Sequence, residues 1–160
     1  MGKGYWKINC DGARFEKENS AGIGLVICNS EGMVLGLLSK QLSQAFTPLQ
    51  IEAIAVKTAL QFATNLRVQH DILETDSLVL VKALREGTKF LPIVGLVLDE
   101  IINMVNFFTE LHYSHVKRES NIVDHKLACY AICVLDFVVR MEDVRPPLFR
   151  VVLADIAGFT

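Results

Sequence analysis

The sequence is poor in the features that mark several protein classes. It holds four cysteines in 160 residues. Cys10, Cys28, Cys129 and Cys133 form no CxxC pair and no paired Cys/His spacing, which argues against a disulfide framework and a structural zinc module and fits a reduced, intracellular protein of the nucleus or cytoplasm. Cys129 and Cys133, four apart on an expected helix, read as small apolar core residues. The longest apolar runs, Phe90–Leu98 and Leu127–Leu135, fall well short of the roughly 20 residues a bilayer-crossing helix needs, so no membrane span is expected. No basic start followed by an apolar run marks a secretory leader. Charge of one sign is also scarce: 16 Lys and Arg against 18 Asp and Glu leave a formal net charge of −2. The summed field does not draw the chain onto a phosphate polymer, and any nucleic-acid contact must be local.

What is present is apolar. At 51% hydrophobic, a chain of this length buries a substantial core as one domain. Tyr5 to Cys10 alternates apolar and polar, and Asp11-Gly12 supplies a turn signal that is expected to end the first strand. Residues 21–28 and 33–42 read as two further strands joined by the turn Asn29-Ser30-Glu31-Gly32, an opening antiparallel meander. Gly22 and Gly24 suggest a bulge or close backbone approach. From Thr47, with Pro48 at a first helical position, apolar residues fall at helical spacing through Ala63. A short strand (71–75), two helices (77–85 and 92–108), a last strand (111–115) and a helix from Asn121 to about Val134 complete an α/β layered domain over 1–140. Residues 141–160, with Pro146-Pro147, read as an extended tail.

Four carboxylates stand out by position. Asp11 before Gly12 suits a turn, and Asp76 and Asp124 each suit a helix start, so each has a local explanation. Glu52 has none: positions 56, 59 and 63, which follow it on the same helical face, are Val, Ala and Ala. An ionised group heading an apolar stripe is costly unless it is paired or coordinates a metal. Together the four lie at strand ends and helix starts, which meet at one edge of an α/β sheet. Such a cluster repels itself without a cation, and hard oxygen ligands suit Mg²⁺ or Mn²⁺. Two such ions, roughly 4 Å apart, activate an attacking water and stabilise the leaving oxygen of a phosphodiester.

The segments KINCDGA (7–13), AGIGLVICNSEG (21–32), QIEAIAVKTALQFA (50–63), ETDSLVLVKAL (74–84) and HVKRESNIVDHKLA (115–128) resemble the ribonuclease H domain, and specifically its plant reverse-transcriptase-like subgroup related to non-LTR retrotransposons. The resemblance covers nearly the whole chain, tail included. It implies a ribonuclease H-like fold, a five-stranded mixed sheet of order 3-2-1-4-5 with helices on both faces. It also implies Mg²⁺-dependent (or Mn²⁺-dependent) hydrolysis of the RNA strand of an RNA/DNA hybrid, with Asp11, Glu52, Asp76 and Asp124 as catalytic and metal-binding residues. Gly12, Ala13, Thr47 and Ser77 are expected along the nucleic-acid path. Lys82, Arg85, Lys117 and Arg118 would contact phosphate without reading sequence.

The chain departs from well-studied members in its grip on substrate. Pro48 and Leu49 replace asparagines before the first helix, Leu78 replaces a glutamine, and an apolar segment stands where relatives carry a basic helix. His115 and His125 flank the fourth carboxylate, but neither matches the mobile histidine of bacterial relatives. These departures support a second reading: a catalytically weak, retroelement-derived module that binds nucleic acid, or a protein partner through the apolar 90–108 segment or the tail.

Overall fold

The computed structural model describes residues 4–31, 33–44, 46–86, 95–117, 122–130 and 136–140. Three strands open the chain: β1 (Trp6–Phe15), β2 (Ser20–Cys28) and β3 (Val34–Leu42). β1 and β2 pair antiparallel over their length, with Asp11 opposite Gly24 and Gly12 opposite Ile23. Asp11-Gly12 is therefore not a turn, which corrects the expected end of the first strand. The strand continues because both residues keep ladder partners on β2. The hairpin turns instead at Glu16 to Asn19, where Asn19 takes φ 52°, a left-handed conformation that Asn tolerates. The glycines of β2 lie in regular register, and the ladder irregularity falls between Ile27 and Cys28.

The helix α1 (Pro48–Asn65) begins at a reciprocal capping box in which Gln50 N–H donates to Thr47 Oγ1 and Thr47 N–H donates to Gln50 Oε1. Its buried face, Ile51, Ala53, Ala55, Val56, Ala59, Leu60, Phe62 and Ala63, packs on Ile8, Cys10, Ile23, Leu25, Ile27 and Leu38 of the first three strands. Small residues on that face let the helix lie close to the sheet. Then follow β4 (His70–Thr75), α2 (Leu78–Glu86), α3 (Gly95–Val105), β5 (Glu110–His115), α4 (Ile122–Tyr130) and β6 (Asp136–Arg140). β4 pairs parallel with β1 and β5, while β6 pairs antiparallel with β3.

The sheet order is β5-β4-β1-β2-β3-β6. It contains the expected mixed order 3-2-1-4-5 and adds a sixth strand beside β3. That strand carries no hairpin signal, because its partner lies about a hundred residues earlier in the chain. Ser39, on the opposite face from Leu38, donates through Oγ to the Leu127 carbonyl of α4 at 2.5 Å, so α4 covers the face away from α1. The helix expected over 92–108 is described over Gly95–Val105. The tail 141–160, Cys133 and residues 131–135 lie outside the described residues. No helix among the described residues is long and apolar enough to cross a membrane.

Candidate metal centre

Strands β1 and β4 run parallel only as far as the pair Asn9 and Glu74, whose side chains are joined by a hydrogen bond of 2.8 Å. Beyond that pair the strands part. Asp11 lies two residues past it on β1, and Asp76 two residues past it, just after β4 ends at Thr75, so the two carboxylates flank the gap. Asp11 is 1% exposed.

Glu52 comes to the same gap from α1, and Gly12 makes this possible. A Cβ on Gly12 would stand 2.2 Å from Ile51 Cγ2 and 3.4 Å from Glu52 Oε1. The first turn of α1 therefore rests on bare backbone, and Glu52 reaches past it. Gly12 N–H is shared between Asp11 Oδ1 at 2.9 Å and Glu52 Oε1 at 3.3 Å. The Gly at 12, first read as half of a turn pair, is required by this close approach.

One ligand oxygen from each of Asp11, Glu52 and Asp76 lies within 4.8 Å of the others. Burial, the charge of Asp11, that of Asp76 and a hydrogen bond to Asp11 push the Glu52 pKa up to about 9. Its Oε2 atom is buried without a hydrogen-bond partner. An orphaned carboxylate oxygen facing two further carboxylates is a donor set that suits a hard divalent cation. Asp124 belongs to α4, but its side chain lies outside the described residues.

At the start of α2 the hydroxyl of Ser77 accepts Leu80 N–H at 3.4 Å, and Ser77 N–H donates to Thr75 Oγ1 at 3.2 Å. His115 Nε2 donates to the Asp76 carbonyl at 3.2 Å, which ties the end of β5 to the loop that carries Asp76. Thr47, expected along the nucleic-acid path, uses its hydroxyl as the cap of α1. Ala13 lines a cavity of about 390 Å³ beside Glu52, together with Gly12, Arg14, Pro48, His125 and Cys129. Lys82 is exposed on α2, and Lys117 is exposed after β5. Arg85 donates through Nη2 to the Tyr113 carbonyl at 2.5 Å. Arg118 lies outside the described residues.

One contact was not foreseen from the sequence. His125 Nδ1 stands 2.7 Å from Asp11 Oδ2, 114 residues apart in the chain. The available signals were its place next to Asp124 and its spacing of four from Cys129, whose Sγ lies 3.7 Å from His125 Nε2.

The fold has close counterparts among solved structures. RNase H1 from the halophilic archaeon Halobacterium salinarum superposes with a TM-score of 0.75 at 22% identity, covering 81% of this chain and 98% of that one. The N-terminal RNase H domain of a Mycobacterium tuberculosis protein gives 0.74 at 21% identity, covering 83% and 96%. LC11 RNase H1, isolated from compost, solved in complex with an RNA/DNA hybrid, gives 0.72 at 22% identity, covering 80% and 96%. At these identities the likeness establishes the ribonuclease H-like fold. No protein of curated function matches the sequence significantly. The sequence model of one family matches residues 9–131, from the strand that carries Asp11 through the helix that carries His125, and the chain therefore belongs to the reverse transcriptase-like family.

Proposed function

We propose that the chain is a ribonuclease H, an endonuclease that hydrolyses the RNA strand of RNA/DNA hybrids, with Asp11, Glu52, Asp76 and Asp124 holding its divalent cations. The observation that carries this reading is the convergence of three carboxylates with a buried, unpartnered Glu52 Oε2 at the point where β1 and β4 separate. Isolated helix caps have no reason to converge. When bound, two such cations supply an activated water and neutralise charge on the leaving oxygen of the phosphodiester. The protein's own groups bind and orient. Asp11 is fixed at Oδ1 by Gly12 N–H and at Oδ2 by His125, and the loop bearing Asp76 is fixed by His115. Burial and the neighbouring carboxylates favour the protonated form of Glu52, and that proton must be released before Glu52 can act as an anionic ligand. Lys82, Arg85, Lys117 and Arg118 attract the phosphate backbone, and Gly12, Ala13, Thr47 and Ser77 border its path.

Mg²⁺ is the cation of this reading, with Mn²⁺ as substitute, because hard carboxylate oxygens and retained water suit both. The motifs around Asp11, Glu52, Asp76 and Asp124 are the support for the plant, non-LTR retrotransposon-related subgroup; Pro146-Pro147 is the support for a domain over 1–140 with a tail over 141–160, and the unpaired cysteine spacing for an intracellular setting in nucleus or cytoplasm. A second reading, a catalytically weak binding or interaction module, is favoured by exposed apolar side chains. Leu78 and Val79 stand exposed at the start of α2, and Leu96, Ile102 and Phe107 are exposed on and after α3. The apolar 90–108 segment and the tail are its candidate protein contacts.

A cleavage assay on an RNA/DNA hybrid with and without Mg²⁺ separates the two readings. Asp76→Asn is expected to abolish cleavage and leave hybrid binding nearly intact, because the amide keeps the shape and loses the anionic ligand. Activity within about tenfold of the parent, some 1.4 kcal/mol in transition-state stabilisation, would remove Asp76 from the metal site.

A further inference from the structure

We infer that His125 is a positioning residue: with its Nε2 facing the Cys129 thiol, it donates a hydrogen bond from Nδ1 that holds Asp11 in the orientation needed to ligate a divalent cation. This inference rests on the metal reading of Asp11, and goes beyond it by giving a role to two residues outside the carboxylate set.

The first observation is the contact itself. At 2.7 Å, Nδ1 to Oδ2 is a short hydrogen bond of the charge-assisted kind, and a carboxylate can only accept it. Asp11 is 1% exposed, so solvent does not compete for that oxygen. The second observation concerns the far side of the ring, the proton on Nδ1 being already required by its carboxylate partner. Cys129 lies one turn further along α4, with Sγ 3.7 Å from His125 Nε2. Burial pushes the Cys129 thiol up, and the nearby Asp11 carboxylate pushes it further. The sulfur therefore keeps its proton and serves as a weak donor to Nε2. A neutral imidazole that accepts at Nε2 carries its proton on Nδ1, the atom facing Asp11.

The third observation concerns what remains of Asp11 for a cation. A carboxylate offers about four lone-pair sites on its two oxygens. Gly12 N–H takes one on Oδ1 and His125 takes one on Oδ2, and protonated Glu52 takes a third, so once the Glu52 proton is released each oxygen keeps one direction open. Two clamped oxygens with one open direction each suit a carboxylate shared between cations. A histidine without a hydrogen bond to Asp11 would leave that side chain free to rotate about its terminal torsion, which is soft for Asp. Partners of this kind, standing behind a metal ligand, typically change metal affinity or activity by about 10- to 100-fold when removed.

The test uses the full chain and two readouts. In the first, NMR of imidazole-¹⁵N-labelled protein without added metal should show His125 as the Nδ1–H tautomer, and Cys129→Ala should weaken that preference. In the second, thermal stability is followed across a Mg²⁺ series. His125→Ala should raise the Mg²⁺ concentration for half-maximal stabilisation by about 10- to 100-fold, and His125→Asn, whose side-chain amide can donate from nearly the same place, should recover most of that loss. KM for the hybrid at saturating Mg²⁺ should stay near the parent value. An Nε2–H tautomer in the parent overturns the inference whether or not the variants fold. So does a Mg²⁺ response in His125→Ala equal to or tighter than the parent's, which would make His125 a bystander or a competitor of the cation. A parent protein that gains no stability from Mg²⁺ would count instead against the metal reading, and the tautomer readout would still stand by itself.

Discussion

Replacing Glu52 by glutamine tests the electrostatics of the carboxylate cluster without requiring activity. Burial, Asp11 and Asp76 raise the Glu52 pKa from 4.5 to about 9 in the folded chain. In the unfolded chain the group titrates near its ordinary value, so between these limits the folded state holds a proton that the unfolded state releases. Parent stability therefore falls as pH rises from 4.5 toward 9, and the destabilisation is absent below 4.5 and complete above 9. The interval between 4.5 and neutral pH corresponds to about 3 kcal/mol. Glutamine has no proton to lose and keeps the shape, so Glu52→Gln should be more stable than the parent by about 3 kcal/mol near pH 7, or roughly 6 to 12 °C in Tm for a chain of this size. The difference should vanish near pH 4.5. Metal adds an opposite signature, because the parent must release the Glu52 proton to bind it. Mg²⁺ affinity of the parent should rise about tenfold per pH unit below 9, while the variant binds poorly throughout. Thermal melts from about pH 4.5 to pH 9, with and without Mg²⁺ at fixed ionic strength, read both effects. Parallel pH curves for parent and variant would refute the idea that Glu52 is a buried, proton-holding member of an anionic cluster.

Three further outcomes follow from particular contacts. Asp71 is fully buried in β4 with both oxygens unpartnered, and burial pushes its pKa up to about 7; Asp71→Leu should therefore be the more stable protein by an amount that grows as pH rises from about 4 to 7 and levels above that, to at most about 4 kcal/mol, and a pH-independent difference in chemical denaturation would contradict this. Gly12→Ala places a Cβ 2.2 Å from Ile51 Cγ2; overpacking should cost about 1 to 3 kcal/mol and shift α1 enough to weaken Mg²⁺ stabilisation, and an unchanged melt would show that α1 relaxes freely. Lys82→Ala with Arg85→Ala should flatten the dependence of log K for hybrid binding on log salt by about 1 per lost phosphate contact; since Arg85 is engaged with the Tyr113 carbonyl, most of the change should come from Lys82, and an unchanged slope would make both residues a solvated face.

The alternation of the first strands, the Thr47 cap with Pro48 after it, and the apolar stripe of α1 are local patterns with one stable outcome each, and they were legible in the sequence, as was the central sheet order through the family resemblance. The candidacy of Glu52 was legible for the same reason: a carboxylate at the head of a stripe continued by Val56, Ala59 and Ala63 has no inexpensive place to go. What the sequence did not reveal depends on which backbone meets which across long separations. Asp11-Gly12 reads locally as a turn, and only pairing with Ile23 and Gly24 keeps it in a strand. The need for Gly at position 12 comes from Ile51, 39 residues later, pressing on its Cα. β6 has no signal of its own and forms against β3 because that edge is open to it. His125 looked like a neighbour of a carboxylate in the chain, and tertiary packing made it the partner of a different one, Asp11, when α4 was laid across the opposite face of the sheet. Side-chain type and spacing thus determined which residues were able to carry the chemistry, while the approach of α1 and α4 from opposite faces to the parting of β1 and β4 decided which of them meet, because proximity between distant segments is set by packing of the whole core and not by any local propensity.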